Sequence, residues 1–321
     1  MRRVLLASAA LCCAAANARA QCSPAVQKLI ANQRDDDARV AVQALVKAGP
    51  ADDAALHCMG RIFVAMDKPG DAIDWFEKAV AANEQSSLHH LWLANALGMQ
   101  APHTSKLKLP FLARRIKSEF DRASQLDPSS IEARHGLIQF YSQAPSAMGG
   151  SMEKAHEQAR EIGKLSAMRG HMEEAELFDR EKDLAGAERE YSAAIAASPD
   201  STAPYSSLGN FYRRQKRFAD AVGVYDRVLA LKPDALGARL NIAAALLSSG
   251  QGLDRAEREI KLWLANPPKD AARPNLSYAR YTLGAIYEKQ AKKDSARVEY
   301  QAALAINPRN EEAKRSLAAL K

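Results

Sequence analysis

The sequence predicts an all-α array of stacked helix pairs, and three observations predict it. One pattern of small and aromatic residues recurs in units of 34 residues. Prolines recur at the ends of the same units, where they stop a helix. Hydrophobic residues make up 47% of the chain and charged residues 26%, with only 6% aromatic. That is the balance of a folded protein whose helices approach closely through small side chains.

The first twenty residues read as an export leader rather than as part of the array. Arg2 and Arg3 are followed by an apolar run from Val4 to Ala16, interrupted only by Ser8, and then by Ala18-Arg19-Ala20. The run falls short of the roughly 20 residues that span a bilayer. Cleavage after Ala20 is expected, with residues 21–321 forming one array in the periplasm or outside the cell. Cys12, Cys13 and Cys22 are preceded by Leu11, Cys12 and Gln21, none of them small, which argues against lipid attachment. No later segment reads as a transmembrane span. Loss of the leader removes three arginines and no acid, so the net charge falls from +7 to +4. Cations and acids are interleaved, which gives no basic stripe for nucleic acid. Cys22 and Cys58 remain as an even pair for an oxidising compartment, a candidate disulfide tying the first helix to the next repeat.

The clearest unit is 277–310, with Leu283-Gly284, Tyr287, Ala296, Tyr300, Ala303 and Pro308. Unit 202–235 carries Tyr205, Leu208-Gly209, Tyr212, Ala221, Tyr225 and Pro233 at the same offsets. Unit 168–201 has Ala175, Phe178, Ala187, Tyr191, Ala194 and Pro199. Unit 53–86 has Met59-Gly60, Phe63, Ala72, Phe76 and Ala79, with Glu84 in place of the proline. The pattern resembles the tetratricopeptide repeat, W-x2-L-G-x2-Y, then A-x3-F, then P. The resemblance implies a right-handed superhelical solenoid of helix-turn-helix units, in which stacking buries the face that one pair cannot bury alone.

The remaining elements fit around those four. Residues 19–52 form a partial first repeat. Residues 87–130 form a repeat stretched by about ten residues between its helices, closed by Ala123 and Pro128, and 131–167 form a second stretched repeat. Residues 236–270 carry Ala256, Ile260 and Pro268 with one extra residue near Gly250–Leu253, 271–276 are a spacer, and 311–321 are a capping helix.

In tetratricopeptide proteins the first helices line a concave groove for partner peptides. Carried over, the groove would be lined by His57, Arg61, Leu91, Asn95, His135, Gln139, Ser206, Asn210, Arg213, Leu240, Asn241, Ala244, Tyr278 and Tyr281. Asn210 and Asn241 match asparagines that hold a bound peptide's backbone. The cations of a carboxylate clamp are missing, since Ser206, Tyr278 and Thr282 stand in their places. A second candidate surface is the edge carrying the two insertions, Ala101–Pro110 and Gln143–Gly150, with His103, Lys106, Lys108, Pro145, Met148, Gly149 and Gly150. Insertions in repeat arrays gather on one, often functional, face.

Chemistry is sparse. There is no Gly-rich phosphate loop, no H-E-x-x-H and no paired C-x-x-C, and neither a metal nor another cofactor is expected. His89 and His90 are adjacent and diverge on a helix. Runs such as Arg213-Arg214-Gln215-Lys216-Arg217 end a helix, where cations suit the dipole. The expected function is a non-enzymatic scaffold of the bacterial envelope that binds a protein or peptide. The alternatives are a secreted enzyme using His103, Ser105 and Lys106 in the loops, and a self-associating structural array.

Overall fold

The computed structural model describes residues 22–32, 34–49, 52–267 and 273–320. The leader, its cleavage site and Pro268 lie outside them. The described residues hold seventeen α-helices, two 3₁₀ turns and no strand. They divide into two compact units, one ending at Glu181 and one starting at Lys182. That boundary falls inside the repeat read as 168–201.

The first unit contains α1 (Pro24–Ala31), α2 (Asp35–Ala48), α3 (Asp53–Ala65), α4 (Pro69–Ala82), α5 (Ser87–Gln100), α6 (Leu109–Leu126), α7 (Ile131–Gln143), α8 (Met152–Leu165) and α9 (Ala167–Glu181). The second contains α10 (Leu184–Ala197), α11 (Thr202–Arg214), α12 (Phe218–Leu231), α13 (Leu236–Ser249), α14 (Leu253–Ala265), α15 (Arg273–Lys289), α16 (Lys293–Ile306) and α17 (Glu311–Ala319). The spacer expected at 271–276 is shorter than the sequence suggested, because α15 begins at Arg273. The Arg-Pro pair does not delay the helix, since a proline in the first turn has no amide bond to lose.

Two local devices explain the repeat. The proline closes a turn whose fourth residue caps the next helix. The amide of Ser130 donates to the Asp127 carbonyl at 3.0 Å, and that of Asn310 to Asn307 at 3.1 Å. The side chains of Ser130 and Asn310 then accept from the amides of Ala133 and Ala313. With Glu84 in place of the proline the turn is unchanged, Ser86 donating to Asn83 at 3.2 Å. The second device ends the first helix of each pair. Among the described residues, Asp67, Lys182, Lys216 and Ala291 are the non-glycine residues with positive φ, at 54°, 69°, 59° and 59°. All four stand at one offset within their repeats. At three of them the next amide reaches back to close the helix: Lys68 to the Phe63 carbonyl, Arg217 to Tyr212 and Lys292 to Tyr287, at 2.8–2.9 Å.

Within a pair, glycine lets an aromatic ring lie against the partner backbone. A Cβ on Gly60 would stand 2.5 Å from the Phe76 ring, one on Gly209 2.6 Å from Tyr225, and one on Gly284 2.7 Å from Tyr300. Phe76, Tyr225 and Tyr300 are fully buried, as are Ala72, Ala221 and Ala296 one turn before them. In the stretched repeat the same frame survives. The Ser87 hydroxyl donates to the Ala123 carbonyl and that of Ser277 to Ala303, both at 2.8 Å, with sequence separations of 36 and 26. The additional length is shared between the longer connection at 101–108 and α6 itself, which has 18 residues where α4 and α16 have 14. At the ends, Leu320 beyond α17 joins Ala296 and Tyr300 in a small apolar cluster, and a disulfide joins Cys22 to Cys58.

Alanine in left-handed backbone is strained by about 1–2 kcal/mol, while glycine's freedom in the unfolded chain returns about 0.4–1 kcal/mol. Ala291→Gly is therefore expected to stabilise the second unit by about 0.5–1 kcal/mol, seen as a higher urea midpoint. A lower midpoint would refute the strain.

Candidate functional site

The first unit carries two adjoining cavities. The polar one is lined by Leu91, Trp92 and Asn95 from α5, Glu132, His135, Gly136 and Gln139 from α7, and Arg169 from α9, with a volume of about 580 Å³. The apolar one, also about 580 Å³, lies between α5, α6 and α7. Met99, Leu112, Ile116, Phe120 and Phe140 form its walls, and Ala101, Leu109, Pro145 and Met148 bring both insertions to its mouth. Asn95, Gly136 and Gln139 line both cavities, which therefore form one cleft.

The apolar cavity follows from a departure in the seam. Where the pairs of Gly60, Gly209 and Gly284 have glycine, the stretched repeat has Ala94, which is fully buried. The Phe120 ring packs instead on α7, where a Cβ added to Gly136 would stand 2.1 Å away. Ala94, Phe120 and Gly136 all line the space left open. The second insertion closes its mouth through a tight turn. Gly149 has φ of 99°, and a Cβ on Gly150 would collide with the Ala144 carbonyl oxygen at 1.8 Å. The Gly150 amide donates to the Pro145 carbonyl at 3.1 Å, and Ser151 caps α8 by accepting from Lys154.

In the polar cavity, His135 Nδ1 lies 2.8 Å from Glu173 Oε1, and Gln139 Nε2 lies 2.8 Å from His135 Nε2. The bond to Glu173 raises the His135 pKa despite partial burial. Arg169 pairs with Glu132 at 3.5 Å.

Several expected groove residues stand elsewhere. His57 is fully buried, as a correction to its groove assignment, because α5 covers that face of α3. Its ring is 5.3 Å from Phe76 and 6.0 Å from Trp92, and Arg61 lies over Trp92 at 4.6 Å. Ala244 is likewise buried. In the second unit, Ser206 donates to the Thr202 carbonyl and Asn210 accepts from Tyr225 at 2.7 Å. Arg213 donates to Asn241 at 3.2 Å, so the oxygens of both asparagines are engaged within the fold. Tyr278 and Tyr281 lie together, ring centres 6.4 Å apart, and Leu240 is half-buried. His103, Lys106 and Lys108 are exposed and do not line the apolar cavity. Arg217, in the basic run, pairs with Glu188 and Asp220 at 2.6 Å.

His57 belongs to a buried polar chain that sequence reading missed. His57 Nδ1 lies 3.1 Å from His89 Nδ1, and His89 Nε2 lies 3.1 Å from Asp53 Oδ2, which also accepts from Asn83 at 2.8 Å. The carboxylate can only accept, so His89 donates to it through Nε2 and His57 donates to His89. His57 Nε2 is left as a buried acceptor without a partner among the described residues. Burial, then the neighbouring His89 and Arg61, push the His57 pKa down to about 3. Burial also lowers that of His89, against the pull of Asp53. Burial alone would raise the Asp53 pKa, but the bonds from Asn83 and His89 outweigh it and lower it. The only long-range signal for this chain was the coincidence of His57, His89 and Asp53 at the starts of neighbouring first helices.

Each unit is therefore a tandem array of helical hairpins, and the first carries an open cleft. Residues 205–239 and 277–310 match tetratricopeptide repeat family models. The second match coincides with the unit read from the sequence, and the first starts three residues later than the reading. No curated protein matches the chain in sequence. In fold it is similar to yeast Tom70, at 13% identity and TM-score 0.67 over 95% of this chain and 62% of that one. It is also similar to a monomeric mutant of IFIT1, solved with Gppp-AAAA, at 15% identity and TM-score 0.52 over 88% of this chain and 67% of that one. A tetratricopeptide repeat protein from Parabacteroides merdae gives 14% identity and TM-score 0.50 over 85% and 99%. At these identities the likeness is one of fold, and with the two matched segments it supports the tetratricopeptide repeat family.

The buried histidine has a pH signature. An unfolded His57 titrates near 6.5 and the folded one near 3. Its contribution is complete above pH 6.5 or so and is lost as pH falls toward 3, at up to about 1.4 kcal/mol per pH unit. Denaturant unfolding at pH 7 and pH 5 should show wild type losing about 2 kcal/mol from this group. His57→Asn, which keeps an N–H donor, should lose correspondingly less; equal losses would refute the assignment.

Proposed function

We propose that the chain is a non-catalytic scaffold that binds an extended segment of a partner protein in the cleft of its first unit. One observation carries the reading: a polar trough of backbone-pairing side chains opens directly into an apolar cavity. Asn95 and Gln139 are exposed on the cleft and offer amide donors and acceptors to a peptide backbone. The apolar cavity would take one large side chain as an anchor, the usual division of labour in a protein interface. The tetratricopeptide fold supports the same role.

The leader expected from the sequence and the Cys22–Cys58 bridge support placing this scaffold in the periplasm or outside the cell. No described helix is long and apolar enough to cross a membrane. The cavity mouth is built from Pro145 and Met148 rather than from His103, Ser105 and Lys106, which favours binding over an enzyme built from those loops.

A photo-crosslinking residue at Gln139 should trap a partner from envelope extract, while one at Lys164, on the outer helix α8, should not. Leu112→Asp, which puts a charge in the apolar wall, should reduce capture about tenfold or more. Equal trapping at both positions, or capture unaffected by Leu112→Asp, would overturn the reading.

A further inference from the structure

The first insertion carries a feature that the cleft does not use. Leu107 and Phe111 are the most exposed large apolar side chains of the described residues, at 87% and 72%. The turn at 105–108 winds directly into α6, with the Ser105 carbonyl accepting from the amides of Lys108 and Leu109 at 2.9 and 3.1 Å. Residues four apart across such a turn share a side. Around them stand Lys106, Lys108 and Arg114, all exposed, and none has an ion-pair partner among the described residues. The adjacent cations do: Arg115 pairs with Glu77 and Lys117 with Asp121. From Gln85 through Ser118 the sequence has no acid at all. The second insertion, on the same edge, also lacks one.

We propose that this tip, residues 105–114, docks on an anionic lipid surface. Leu107 and Phe111 would enter the boundary between headgroups and acyl chains, and Lys106, Lys108 and Arg114 would sit among the anionic headgroups. Apolar side chains flanked by unpaired cations are the combination that binds such interfaces. A protein partner would be expected to supply acids for the cations and a socket for Leu107 and Phe111. The socket on this edge is already the neighbouring cavity, which points inward between helices. Docking through the tip would hold the cleft beside the membrane.

The test is co-sedimentation of the chain from Gln21 onward, so that the leader cannot insert, with phosphatidylcholine vesicles with and without phosphatidylglycerol. Binding is expected only with phosphatidylglycerol and should fall as salt rises. Each lysine at an anionic surface contributes about a fivefold factor, so the double change Lys106→Ser, Lys108→Ser should weaken partition about 25-fold. Leu107→Ser with Phe111→Ser should weaken it about tenfold or more. Val40→Ser is the control: Val40 is 62% exposed but follows the acids Asp35, Asp36 and Asp37, and its loss should change nothing. All variants alter exposed side chains, and circular dichroism melts should confirm that they fold. Protein left in the supernatant, equal binding to neutral vesicles, or indifference to the loop changes would overturn the proposal. So would loop variants that bind vesicles normally but lose a protein partner, which would make the tip part of the protein-binding surface.

Discussion

Three of the described hairpins close tightly because a side chain is missing. At Gly60, Gly209 and Gly284 an aromatic ring from the partner helix occupies the volume that a Cβ would need. Burying such a ring removes a large apolar surface from water, while the alanine one turn before it keeps the backbones close. The contact is repeated at fixed sequence spacing in these three pairs, so it sets their crossing and hence the surface that a neighbouring pair must cover. In repeat proteins stability is largely the sum of such hairpins and the interfaces between neighbours.

The cleft is what happens when this contact is withheld. Ala94 keeps its methyl group, Phe120 turns to Gly136, and the space between α5 and α6 stays open. The long connection at 101–108 gives those helices slack at one end, and the Gly149-Gly150 turn brings Pro145 and Met148 over the opening. A turned ring and two loops thus leave a cavity where other seams are packed. The neighbouring interface, between α3 and α5, is the opposite case. There Asp53, His89 and His57 fill the junction with directed hydrogen bonds, a polar network that specifies one register and is sensitive to protonation.

Much of this was legible in the sequence. The repeat length, the glycine–aromatic spacing and the proline turns follow from local rules and read directly, as did both insertions. Groove assignments were less secure, because family offsets say which helix carries a residue but not whether the next hairpin covers it. His57 and Ala244 are covered, while Asn95 and Gln139 are open. The cavity was missed because Ala94 matches Ala175 and Ala243 at the same offset, and what differs, the turn of the Phe120 ring to Gly136, joins residues of different helices. The histidine chain was missed because it joins residues on different helices, 32 and 36 apart in sequence.

The central claim is that glycine is required because the ring is there. A double-mutant cycle on Gly60 and Phe76 tests it most directly. In the wild-type background Gly60→Ala should overpack the seam and cost about 2 kcal/mol, and with Phe76→Leu already in place the same change should cost less than about half of that. Equal costs in the two backgrounds would mean that the methyl group and the ring do not compete, and the seam would need another explanation.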